Sequence, residues 1–188
     1  MLDHPELIVF VALYDVAVLA ALGLLFWACV TDVLTMTIPN EVSLGLLGAF
    51  VVAFGIALAI DMPAFSNWKA HGTAFGIIFI LTFMMFVLRV WGAGDSKLAT
   101  GVALWIGLKG IVTFVLVMSL AGIVLALASY VLRALPYSYA SLGPQSWPAR
   151  LKAGERNIPY GIAIAVGAIW AFCSLGYLDL ATLMQNIR

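Results

Sequence analysis

The sequence predicts an all-α, polytopic membrane protein with about six transmembrane helices, the fourth of them short, in a single domain over residues 1–188. Three observations lead there. Hydrophobic types make up 64% of the 188 residues and charged types only 10%, with a mean hydropathy of +1.12. A soluble domain carries about 25% charged residues, so this chain cannot cover a water-facing surface. Second, the apolar residues form continuous runs and do not alternate with polar ones as barrel strands must. Hydrocarbon leaves every backbone N–H and C=O to be paired internally, so such runs are helices. Third, most runs approach the roughly 20 residues that a span requires. Nine Lys+Arg balance nine Asp+Glu, which leaves no basic stripe for nucleic acid.

The first run, Leu7 to about Val30, contains one charge, Asp15. Acidic residues precede it and no small-residue cleavage site follows, so it reads as a retained span and not a signal peptide. With no further charge before Glu41, the helix is expected to continue to about Thr37, where Pro39 stops it. The second run covers about Val42–Ile60, with Asn40 as its expected N-cap and Glu41 suited to the positive end of the helix dipole. The third covers about Gly72–Val90. The stretch Leu98–Leu132 would reach about 52 Å as one helix, against a hydrocarbon core of about 30 Å. It must fold back, and Lys109-Gly110 is the expected break. That gives a short span over Asp95–Leu108 and a fuller one over Ile111–Leu132. The last span is about Ile158–Leu178, after an irregular connection, Ala134–Asn157, that ends in a basic stretch suited to anionic headgroups.

Loop charge gives the orientation. With the N-terminus outside, Arg89, Lys97, Arg133, Arg150, Lys152 and Arg156 are cytoplasmic, and Lys69, Lys109 and Arg188 are external. Trp68 and Trp91 fall near span ends, as interfacial anchors do.

A carboxylate inside a span is costly and signals function. Asp32 lies near the cytoplasmic end of the first helix. Asp95 follows Gly92-Ala93-Gly94 and opens the short fourth helix. The span count puts both on the cytoplasmic side at similar depth. Two carboxyl groups sharing a poorly hydrated site do not both ionise easily. One then takes a proton from water while the other polarises a carbonyl, and the titration belongs to the pair. Taken singly, Asp32 also fits an interfacial charge, and Asp95 also fits an acidic helix start.

These residues resemble a known family. Asp32 with Ile38-Pro39-Asn40 resembles the first catalytic segment of the type IV prepilin peptidases. Gly92-Ala93-Gly94-Asp95-Ser96-Lys97-Leu98 is similar to their glycine–any–glycine–aspartate segment. Ile158-Pro159-Tyr160-Gly161 is similar to a segment of the short Flp/Tad-pilus type. The resemblance implies an intramembrane aspartyl protease, with Asp32 and Asp95 as the catalytic pair. Gly92 and Gly94 would shape the turn, and Pro159, Tyr160 and Gly161 would line the site. Pro39, Asn40 and Lys97 are the further supporting residues. The implied substrate is a prepilin or pseudopilin, cleaved at the cytoplasmic face of the bacterial inner membrane after a short basic leader, beyond a glycine. Two departures stand out. Family members often carry arginines between the aspartate and Ile-Pro-Asn, where this chain has Leu34, Met36 and Thr37. The larger members carry a Cys-rich zinc segment and methylate the new N-terminus. This chain has only Cys29 and Cys173, which read as small core hydrophobes, so peptidase activity without N-methyltransferase activity is expected.

The remaining polar residues are expected to do less. Asp15 lies far from the pair and reads as a buried group bonded within the protein, with Lys109 as its candidate partner. His4 and His71 have no companion ligand, so no metal or cofactor is expected. Phe83-Met84-Met85-Phe86 reads as a lipid-facing or packing surface. Ser43 and Ser96 lack a base for nucleophilic catalysis. The small residues of Gly101–Gly107 suit either internal packing or a dimer contact, so the sequence leaves the oligomeric state open. Two other functions fit the same carboxylates: a proton- or cation-coupled transporter or channel subunit, and a non-catalytic scaffold of a pilus or secretion machine.

Overall fold

A computed structural model describes residues 5–60, 62, 65, 67–135 and 143–178. Pro136 of the long connection and His4 and Arg188 lie outside the described residues. Among the described residues six helices follow in order: α1 Pro5–Thr35, α2 Asn40–Ala59, α3 Trp68–Val87, α4 Ala93–Ala134, α5 Trp147–Lys152 and α6 Tyr160–Ser174. Among the described residues there is no strand. Among the described residues, four helices are long and apolar enough to cross a membrane: residues Ile8–Thr35 of α1, then α2, α3 and α4. Large apolar side chains such as Phe26, Leu120 and Trp170 point outward, the inverse of a soluble surface and the arrangement lipid requires.

Local chemistry sets the helix ends. Thr31 and Thr35 turn their hydroxyls back onto Trp27 O (3.0 Å) and Thr31 O (2.7 Å). Met36 then takes a left-handed backbone, φ 54°, so α1 stops at Thr35, before the expected Thr37. Asn40 is not the N-cap of α2. Pro39 holds that position with φ −61° and ψ 146°, because its ring fixes the extended backbone that a cap needs, and Asn40 is the first helical residue. At α3 the Asn67 side chain accepts the Ala70 N–H at 3.2 Å, a true side-chain cap.

The long apolar stretch breaks at Gly107, not at Lys109-Gly110. Gly107 has φ 58° and ψ −170°, a backbone that side-chain-bearing residues avoid. It divides α4 into a first limb, 93–106, and a second limb, 108–134. The first limb runs antiparallel to α3: His71 Nδ1 lies 2.8 Å from Leu104 O, and Ser96 Oγ donates to Thr82 O at 3.1 Å. The second limb runs antiparallel to α6. A Cβ built on Gly122 would stand 2.6 Å from the Tyr160 hydroxyl, one on Gly167 2.9 Å from Phe114 O, and one on Gly110 3.0 Å from Leu175 Cδ1. The chain therefore reverses at Gly107. The six expected spans correspond to α1, α2, α3, the two limbs of α4, and α6. The first limb has 14 residues and is about 21 Å long.

The connection before α6 is not wholly irregular, because α5 forms within it. Trp147, Pro148 and Leu151 are buried. Lys152 Nζ donates to Arg133 O (3.0 Å) and to Leu135 O, satisfying carbonyls that the end of α4 leaves unpaired. Arg150 pairs with Glu155 at 3.5 Å.

One end of the bundle is closed by stacked rings. Phe65 lies between His71 (centroids 5.1 Å apart) and Tyr177 (5.4 Å). Trp105 Nε1 donates to Leu46 O at 3.0 Å, and the Tyr177 hydroxyl donates to Trp105 O at 3.0 Å. Three expectations change. His71 is buried in a role that its isolation in the sequence hid. Asp15 is only part-buried and makes no ion pair with Lys109. Cys173 is exposed and Cys29 half-buried, so neither is a fully buried core hydrophobe.

Candidate active site

The opposite end of the bundle gathers the polar groups. Asp32 projects from the last turn of α1, and Asp95 from the first turn of α4. Both line one cavity of about 320 Å³, together with Ile38, Gly92, Gly94 and Lys97 among others. Asp32 is only 5% exposed, whereas Asp95 is half-buried.

Each carboxylate is held by a glycine. The Gly161 N–H, at the start of α6, donates to Asp32 Oδ2 at 2.7 Å. A helix N-terminus leaves its first N–H groups unpaired and favours negative charge nearby, so α6 supplies a fitting donor. A Cβ on Gly161 would sit 2.8 Å from that same oxygen and 3.3 Å from Asp32 Cβ. Only glycine allows this approach. A Cβ on Gly92 would likewise fall 2.9 Å from Asp95 Oδ2.

Ile38 ties the elements together. A Cβ on Gly94 would meet Ile38 Cβ at 3.0 Å, and one on Gly161 would meet Ile38 Cδ1 at 3.2 Å. The α1–α2 connection thus wedges between the first residues of α4 and of α6. Lys97 Nζ donates to Asn40 Oδ1 at 2.8 Å, joining the starts of α4 and α2. Tyr160 turns away from the cavity, packing on Trp91 with ring centroids 5.2 Å apart and resting on Gly122. Trp91 is therefore also a packing partner of the site.

Of the residues singled out from sequence, Asp32, Asp95, Gly92, Gly94, Lys97 and Asn40 line the cavity. Gly161 reaches it through Asp32. Pro39 and Pro159 occupy the N-cap positions of α2 and α6, setting where those helices begin. Sequence reasoning missed Ile38 as a wedge and Gly122 as the seat of Tyr160. Ile38 carried a signal, since it opens the Ile-Pro-Asn segment. Gly122 carried none, because it sits in an apolar run like any other small residue. The described residues hold no cluster of His, Cys, Asp and Glu suited to a metal ion.

The contact at Gly161 leads to an expected result. Gly161→Ala places a methyl group 2.8 Å from Asp32 Oδ2 and 3.3 Å from Asp32 Cβ, so the carboxylate must turn away and lose the Gly161 N–H. Overpacking of this kind costs about 1–3 kcal/mol. The displaced carboxylate should lower activity at least as sharply as stability, read as cleavage rate beside thermal unfolding in detergent.

Residues 19–127 match the model of the type IV leader peptidase family. The match contains Asp32, Pro39, Asn40 and the segment from Gly92 to Lys97, but not Pro159–Gly161. No curated protein and no solved structure matches the chain. The family match extends over more than half of the sequence and includes both cavity carboxylates, and on that ground the chain belongs to the type IV leader peptidase family.

Proposed function

We propose that this protein is a prepilin leader peptidase of the Flp/Tad type, an intramembrane aspartyl protease whose catalytic pair is Asp32 and Asp95. The observation that carries the reading is the meeting of two carboxylates from different helices at one cavity, in a chain of the leader peptidase family. In the proposed reaction the ionised member of the pair removes a proton from water. The resulting hydroxide attacks the scissile carbonyl, whose oxygen accepts a hydrogen bond from the protonated member. The tetrahedral intermediate then collapses, the C–N bond breaks and the leaving amine takes the proton that the carboxylate removed from water, which returns the pair to its starting state. The Gly161 N–H holds Asp32 in place, and the Gly92–Gly94 turn does the same for Asp95. A peptide carbonyl inside a helix is already bonded, so the substrate presents an extended segment. No metal or cofactor enters this scheme. The protein is proposed to lie in the bacterial inner membrane with its N-terminus outside and the cavity near the cytoplasmic side.

Co-expression with a candidate Flp-type prepilin tests the reading. Leader removal, seen as a gel shift and a new N-terminus, is the expected result. The new N-terminus should carry no methyl group, and purified protein should transfer none from S-adenosylmethionine. A prepilin that stays full-length, with the protein folded and present in the membrane, would count against the assignment.

A further inference from the structure

A second cavity, of about 510 Å³, adjoins the first and has no role in the proposed chemistry. It lies in a V between α2 and α3. The arms of the V meet at the closed end of the bundle, where the rings of Phe50 and His71 are 5.8 Å apart. Toward the carboxylates the cavity lies between them, and the first limb of α4 forms its floor. Leu44 and Leu47 face it from α2, and Phe75, Phe79 and Phe83 from α3. These three rings stack in a ladder, with centroids 6.2 and 5.8 Å apart. The floor residues Ser96 and Thr100 spend their hydroxyls within the protein, on Thr82 O (3.1 Å) and Ser96 O (2.7 Å). Gly101 beside them also lines the floor, with Leu46 packed where its side chain would be.

The groove is blind at one end and continuous with the carboxylate cavity at the other. Asn40, Ala93 and Lys97 line both. From Phe75 to Phe86, both lining residues, is eleven residues, or about 16 Å, the length of three helical turns. An occupant of both spaces is apolar over that length and then continues as a polar, extended chain. A helix suits such a groove: its backbone is paired internally, and small floor residues admit it closely.

We infer that the V between α2 and α3 is the docking groove for an apolar helix of the substrate, seating about three turns of it beside the scissile segment. The inference rests on the peptidase reading for the identity of the occupant. The hydrogen bond between Lys97 and Asn40 spans the throat where groove becomes cavity, so a chain passing there displaces it.

The test uses a synthetic peptide with a short basic leader, a glycine and a 20-residue Leu/Ala helix, together with the Asp95→Asn protein in lipid nanodiscs. A photoreactive benzoyl-phenylalanine replaces Phe79 in the groove or Phe26 on the outer face of α1. Both side chains are exposed, and a thermal unfolding curve for each variant shows that the fold is kept. Peptide adducts at least tenfold more abundant from position 79 than from position 26 are expected. Equal adducts, or adducts at position 79 with phospholipid only, would overturn the inference. A second measurement fills the groove with Leu47→Trp in the otherwise unaltered chain. The ratio of kcat/KM for the helix-bearing peptide to that for a peptide truncated just beyond the scissile bond should fall about tenfold, and an unchanged ratio would overturn the inference. If the unaltered protein cleaves neither peptide, the peptidase reading fails, while the adduct pattern still decides whether a helix occupies the groove.

Discussion

Asp32→Asn and Asp95→Asn are each expected to reduce leader cleavage by at least about 10²–10⁴-fold, the range lost with one general acid or base. Asparagine matches aspartate in size, so the packing around both positions is kept. At position 32 the amide oxygen still accepts the Gly161 N–H, which now reaches Asp32 Oδ2 at 2.7 Å. Proton exchange is what the amide cannot do. In the proposed mechanism the two carboxylates act as one unit, so the double variant should be no slower than the poorer single one. A pair of independent contributors would instead multiply their losses. The measurement is the initial rate of leader release by purified protein, beside a thermal unfolding curve showing that the fold is intact. Cleavage by either single variant at the unaltered rate would remove the mechanism. The same pair of variants separates the enzyme from a scaffold, whose partners would assemble with either variant.

Gly107→Ala is expected to have the largest effect on the fold. At φ 58° and ψ −170° the backbone lies where a Cβ costs about 1–3 kcal/mol. The added methyl would also stand 3.2 Å from the His71 ring. That ring is fixed by Leu104 O on one side and the Phe65 stack on the other, so it has nowhere to go. A lower unfolding temperature in detergent is expected, together with a fall in cleavage even though Gly107 lies far from both carboxylates. Gly23 makes the control: no atom lies within 4 Å of a Cβ built there, so Gly23→Ala should preserve or slightly raise stability.

The comparison of these two glycines shows what the sequence makes legible. Hydropathy runs located every span, because lipid exposure is a property of each segment alone. The same arithmetic required a reversal within Leu98–Leu132, since a single rod would overshoot the membrane. It did not choose between Gly107 and Gly110. That choice is made by His71, distant in sequence, which occupies the carbonyl of Leu104 while Gly110 packs under Leu175. Asn40 has the same lesson on a smaller scale. Its type suits an N-cap, but Pro39 already supplies the backbone, and the amide is used by Lys97 instead. At the site, Asp32 and Asp95 were visible as charges in costly surroundings. Their common cavity, and the donor that Gly161 offers, depend on how α1, α4 and α6 pack, which no local pattern encodes.

The reversal at Gly107 gives α4 the mechanics of a bell crank. One arm ends at Asp95; the other bears on α6, whose Gly161 N–H holds Asp32. From position 107 to position 95 the arm measures about 18 Å, so a swing of ten degrees about the pivot carries the Asp95 carboxyl through about 3 Å.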